Sequence, residues 1–450
     1  MSGALNSTVE SISARLEHLL GLSLNTILLL LLGLGASIAV FYKPLRNAEE
    51  KKQANGNAQE SDANKHRQPG EWIPVKFVYP PVEACTERLA ERKPIPYRPF
   101  RWGAYQSVFP LVSMNYFVES RISSVNMGIR NMPWNDWIEL DKDHAVYHRI
   151  KVHRVQTRGQ AAVRVLTDDA NPGVVKGGEE AAIELVHELA EYLSRRYPKD
   201  FEVIRYSERL IDRDGAYCDW GWEDLPAIRT IKITSLDASY ELPLSTNDGD
   251  RAPEKAMEIA GLLIQDDLAL MLEGVDGKYY FQAGSICLPD KERLDLSLER
   301  FFRRLPVEKP VVRNNYFFQT NVPQKEERID AEELAWAEST VGPEESFGHG
   351  TAFKRENGAG QGETEVEWIR FRSERQTLRR LPQSGAVAFT IRTYLTPVKE
   401  IAREKGVAGR LASALRSWPA DVGEYKGRER GGWFEPLLEY LDECETRVDG

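Results

Sequence analysis

Cysteine is scarce in this 450-residue chain, and the four present, Cys85, Cys218, Cys287 and Cys444, stand far apart with no C-x-x-C spacing. That excludes a zinc knuckle and a disulfide scaffold, and it fits a reducing compartment. Histidine is scarce too, with seven in all and no H-E-x-x-H. In HAVYHRIKVH a helix would place His144 and His148 on one face, but no carboxylate set stands nearby at metal spacing, so ordinary histidines are expected. His187 is expected within an amphipathic helix as a surface or boundary residue, and His349 in a solvated Gly-rich loop. Basic excess is absent: 59 Lys and Arg face 69 Asp and Glu, a formal charge of -10. A surface that neutralises nucleic-acid phosphates needs the opposite balance, so no nucleic-acid partner is expected. No internal repeat is visible.

What is present begins with one long apolar run. Leu19–Tyr42, LLGLSLNTILLLLLGLGASIAVFY, holds no charge over a length that could cross a bilayer as a helix. The tail before it is not basic, which disfavours a signal peptide, and Lys43, Arg46, Lys51 and Lys52 follow it. The positive-inside rule then predicts a single-pass membrane protein, anchored by residues 19–42 in the endoplasmic reticulum, with its C-terminal part in the cytosol. The sequon at Asn6 falls in the tail, in keeping with that orientation. Between Arg46 and Gly70 there is no Val, Ile, Leu, Phe, Tyr or Trp, the composition of a flexible tether. The expected organisation is therefore a tail over 1–18, an anchor over 19–42, a linker over 43–71 and one globular domain over 72–450.

The globular part mixes helical and strand patterns without a βαβ rhythm. GGEEAAIELVHELAEYLSRRYP reads as an amphipathic helix, with acids at its start and arginines at its end. LLIQDDLALMLEG and KYYFQAGSICL flank Asp276-Gly277, a hairpin signal. VVRNNYFFQT and AVAFTIRTYL are further strands, PVKEIAREKGVAGRLASALRSW is helical, and ENGAGQGETE reads as a mobile loop. Hairpins with separate helices predict an α+β fold on an antiparallel sheet.

RFRSERQTLRRLPQSG, Arg370–Gly385, gathers five arginines before a strand that carries Arg392. VEWIRFR reads as a strand, Ser373 and Gln376 as a capping box, and Pro382 as the stop of a short helix. Arginine forks suit carboxylates or phosphates. The plain alternative is a set of solvated arginines paired with Glu367 and Glu374. Asp266-Asp267 is uncommon in an apolar strand and reads either as functional or as a turn or ion-pair element.

FRSERQTLRRLPQSGAVAFTIRTYL, with PYRPFRWG, NMGIRNMPWNDWIELD, IQDDLALM, FFRRLPVEKPVVRNNYF and GRLASALRSWPADVGEYKG, resembles the haem-dependent oxidative N-demethylase family, and most of all its fungal members. The resemblance runs in order from about Tyr97 to Leu441. It implies a PAS-like antiparallel sheet with flanking helices, preceded here by the one transmembrane helix. It also implies a haem monooxygenase that uses dioxygen and two electrons to demethylate a small amine, with electrons from flavin and iron–sulfur partner proteins. Arg375, Arg379, Arg392 and Tyr394 become candidates for contacts to haem, and Asp267 and Glu374, with Asp266 beside them, for proton delivery or for holding the substrate ammonium.

The same resemblance implies a proximal histidine between ICLP and FFRRLP. Here Cys287-Leu288-Pro289 runs straight into DKERLDLSL, which holds none, so the axial ligand is not found. Conversely, Ser107–Ser124 interrupts stretches that the family joins closely. A retained intron and a skipped piece of exon would account for both. A haem-less, non-catalytic member of the family is the alternative. A type II glycosyltransferase is another, since Asp212-Arg213-Asp214 is a D-x-D, although the flanking charges oppose it and D-x-D recurs by chance in so acidic a chain.

Overall fold

A computed structural model describes residues 64, 66–93, 129–209, 220–286, 299–320, 365–404, 406–420 and 432–448, with the single positions 423, 426 and 428. The chain divides between Asp62 and Ala63, and every described residue belongs to the second unit. Among the described residues no helix is long and apolar enough to cross a membrane. That finding removes the transmembrane element from the expected fold and the single-pass placement drawn from it; the run over 19–42 itself lies outside the described residues. Outside them too lie the tail, most of the linker, Ser107–Ser124, the Asp212–Asp214 triplet, Cys287, His349 and nearly all of ENGAGQGETE.

The α+β expectation holds. Ten strands are described: β1 Arg130–Asn131, β2 Val163–Val165, β3 Phe201–Arg205, β4 Ile228–Ile233, β5 Ala238–Glu241, β6 Asp267–Glu273, β7 Tyr279–Ser285, β8 Val311–Thr320, β9 Ile369–Arg380 and β10 Val387–Pro397. Seven of them form an antiparallel sheet in the order β1-β8-β9-β10-β6-β7-β2, and β3-β4-β5 form a second, small sheet. The helices are α1 His144–Arg158, α2 Glu179–Arg196, α3 Ala252–Leu263, α4 Glu299–Arg304, α5 Val398–Ala402, α6 Ala408–Arg416 and α7 Phe434–Val448.

β6 and β7 form the expected hairpin. Gly277 takes φ +80° in its turn, where the Asp276 carboxylate accepts the Lys278 N–H at 3.1 Å. β9 overturns the expectation of a short helix. It runs unbroken for 12 residues, and the Ser373 cap never forms, because β8 and β10 pair with it along its length and take up its backbone groups. Only Val366–Trp368 before it is helical, as a single 3-10 turn.

Alternation along β9 and β10 then gives each side chain a face. Toward the first face point Thr377, Arg379, Ala388 and Thr390, covered by the largest core, to which α2 and α3 contribute. Toward the second point Leu378, Arg380, Val387 and Phe389, and Phe302 of α4 packs there. At the far end of the first face, α5–α7 enclose Phe318, Phe371 and Trp433. α2 has its expected termini, Glu179 and Glu180 at the start and Arg195 and Arg196 at the end, but not its expected setting. Every residue from Ala181 to Leu193 is buried, so His187 lies in the core and not at a boundary.

Candidate functional site

The register separates the six nominated residues. Arg375 pairs with Arg392, and Tyr394 with Ser373, on the first face, where Arg379 also lies. Ile391 pairs with both Asp267 and Gln376, and Glu374 with Thr393, on the second. The sheet thus stands between the candidate acids and the candidate anion-binding residues. Asp267 opens β6, and Asp266, one residue earlier, belongs with the first-face groups.

The first-face arginines are buried, none more than 1% exposed, which overturns the solvated alternative. Each meets a carboxylate of the protein itself. Arg375 approaches Glu139 at 3.5 Å and donates to the carbonyls of Asp136 and Trp137. Arg379 donates to Glu188 and lies over the rings of Trp137 at 4.3 Å and Trp134 at 4.7 Å. Arg392 is 3.2 Å from Asp141 and stacks against Tyr147 and Tyr394 at 4.3 and 5.0 Å. Buried guanidinium needs such partners, since an uncompensated charge in an apolar interior is costly. Together these pairs fasten the segment 136–141 and helix α2 to the sheet.

Asp266 lies on this face with both carboxylate oxygens enclosed, near the Arg392, Arg375 and Lys151 cations and the Thr390 hydroxyl. Burial raises its pKa against the pull of Arg392, Arg375 and Lys151. Burial likewise raises the Glu139 carboxyl and the Tyr394 phenol. Lys151, buried in α1, donates to the Gly261 and Asp266 carbonyls at 3.1 and 2.5 Å. Glu139, Asp141, Glu188 and Lys151 lie within stretches read from the sequence but were not singled out there, because their partners are more than 100 residues away along the chain.

The second face carries a chain of polar side chains. Arg313 donates to the Gln376 amide oxygen, the Gln376 amide nitrogen donates to Glu374 at 2.9 Å, and Arg372 closes on the other Glu374 oxygen at 2.7 Å. Both oxygens of Glu374 are therefore engaged, and Asp267 lies one strand beyond Ile391 in the same row as Gln376 and Arg313. Arg313 and Gln376 lay inside quoted motifs, and only the register brings them beside the acids.

A sequence profile described as haem-dependent oxidative N-demethylase, alpha subunit-like, matches residues 128–291 and 289–434, well over half of the chain. The chain belongs to this family. Its two matched stretches meet at 289–291, where the sequence passes from ICLP directly into DKERLDLSL.

Family membership brings haem into question, and the described side chains do not fit one. His144 bonds through Nε2 to the Leu263 carbonyl, His187 to the Pro243 carbonyl, and His148 to the Tyr240 hydroxyl. His66 and His153 are exposed. No described histidine is therefore set to ligate iron from inside an apolar slot, and no group of three or more His, Cys, Asp or Glu among the described residues could hold a metal. The three arginines nominated for propionates already have internal acids.

Proposed function

We propose that this protein acts in the oxidative N-demethylation of a small amine, and that its working face is the second one, which carries Asp267 and Glu374. The observation that carries the reading is the family match over 128–434, and the second face is taken because the register sets Asp267 and Glu374 on it together. In the reaction of that class an N-methyl group leaves as formaldehyde. Dioxygen and two electrons are consumed with two protons, one oxygen atom goes into formaldehyde and the other into water. Flavin and iron–sulfur partner proteins would supply the electrons. Haem enters the reading on family membership alone, because the buried histidines among the described residues are bonded to protein carbonyls.

The chain's own part is electrostatic. An ammonium on the second face would meet negative charge from two carboxylates, Asp267 and Glu374, the latter held in place by Arg372 and Gln376. The strand order, with the hairpin β6–β7 joined through β10 to β9 and β8, supports the PAS-like description as part of the same reading.

The full chain, supplied with haem, should develop a Soret band that responds to dimethylammonium. Asp267→Asn should abolish the response, and Asp266→Asn, on the other face, should retain it. Loss of response in Asp266→Asn alone would overturn the choice of face. Absence of any Soret band would overturn the oxygenase reading in favour of a haem-less member of the family.

A further inference from the structure

Glu184 is buried in the middle of α2 and contributes to neither face's arginine pairs. Its two oxygens accept the backbone N–H groups of Gln383 at 2.6 Å and Ser384 at 2.7 Å, in the turn that joins β9 to β10. The same turn is gripped from outside by the segment 72–79. Val75 N and Trp72 Nε1 donate to the Pro382 carbonyl at 2.9 and 3.0 Å, and the Gln383 amide donates to the Val75 carbonyl at 3.2 Å. Trp72 lies on Gly385, which has φ +71° and where an added Cβ would fall 2.2 Å from the indole. Farther along, Tyr79 donates to Glu188 and stacks on Trp222 at 3.8 Å.

We propose that Glu184, the 381–386 turn and the 72–79 strap form a proton-sensitive latch, tight in acid and looser above neutrality. The groups facing Glu184 are few. Glu188 from its own helix repels it, the turn offers two N–H groups and the Ser384 hydroxyl, and Tyr79 approaches from the strap. Arg379 of β9 is spent on Glu188, and Glu254 of α3 acts on Glu179 instead. Burial, then Glu188, push the Glu184 carboxyl up from 4.5 to about 7. A carboxyl raised in the closed form and ordinary in an open, solvated one binds its proton more tightly when closed. Closure is therefore favoured at low pH, and opening grows as pH climbs through 4.5 to 7. This inference does not depend on the demethylase reading.

Hydrogen exchange of the full chain, corrected for intrinsic rates, tests it. Between pH 6 and pH 8 the opening constant of peptides covering 72–79 and 381–386 should rise roughly tenfold. Peptides from 268–272, in the sheet centre, serve as the internal reference and should not follow. Glu184→Gln should remove the pH dependence, and Ser384→Ala, which loses a bond to the ionised form, should move its midpoint upward. Exchange in the wild type that is flat from pH 6 to 8 overturns the proposal, whether or not the Glu184→Gln protein folds, and so does a retained pH dependence in a folded Glu184→Gln protein.

Discussion

The two faces of the sheet handle neighbouring arginines in different ways. Arg379, on the first face, is neutralised by Glu188 and enclosed by the rings of Trp134 and Trp137. Arg380, one residue on and on the opposite face, meets no acid in its hydrogen bonds. It donates instead to the carbonyls of Leu305, Phe302 and Gly385 and to the Tyr279 hydroxyl. Both are buried completely enough that water cannot serve as partner. Formal charge against charge holds one, and neutral dipoles hold the other, so burial lowers the Arg380 pKa. A buried cation can thus mean an ion pair or a carbonyl cradle, and only the first ties stability to the ionisation of a partner.

The largest expected effect follows directly. Arg379→Met leaves Glu188 as an uncompensated buried charge and should cost about 3–5 kcal/mol at neutral pH. Arg380→Met strands carbonyls and not a carboxylate, so its cost should be smaller. Denaturant unfolding of both variants at neutral pH checks the contrast, and equal costs would break it. Adding Glu188→Gln to Arg379→Met should recover part of the loss, since the remaining partner no longer carries a stranded charge.

A second effect separates the faces by acid sensitivity. His144 and His187 lie in helices that cover the first face, and burial pulls both from 6.5 to about 4. The unfolded chain therefore binds protons that the folded chain refuses. Their contribution is fully present above pH 6.5 and is lost as pH falls toward 4, on the order of 3 kcal/mol per histidine at most. Glu184 acts in the opposite direction between 4.5 and 7. Stability should peak a little below neutrality, and His187→Gln, which can keep an N–H for the Pro243 carbonyl, should flatten the acid side. An acid limb unchanged in that variant would remove His187 from the account.

Much of the scaffold was legible in the sequence because it depends on local pattern. The Asp276-Gly277 turn, the strands around it and the ends of α2 all follow from residues within a few positions of one another. The path of β9 was not legible. Ser373 and Gln376 carry a helix-start signal, and long-range pairing with β8 and β10 overrides it. The site suffered more than the fold. Arg375, Arg379 and Arg392 were found as a group, but their partners Glu139, Glu188 and Asp141 lie far away in sequence, and a one-residue difference in strand parity decides which face each acid serves.

The smallest effect sharpens the comparison from the solvent side. Arg416 and Asp442 form a salt bridge between α6 and α7 in which both side chains are about half exposed, 50% and 51%. The bond unites an arginine with a carboxylate, as at Arg379, but water is the alternative partner for each group. Coulomb attraction in a high dielectric is small, and ordering two long side chains offsets much of it. Arg416→Ala should change stability by less than about 1 kcal/mol, and less still in high salt. If it cost as much as Arg379→Met, burial would not be what makes the first-face pairs expensive to break. The first face would then owe its rigidity to its rings and helices, with its charges incidental.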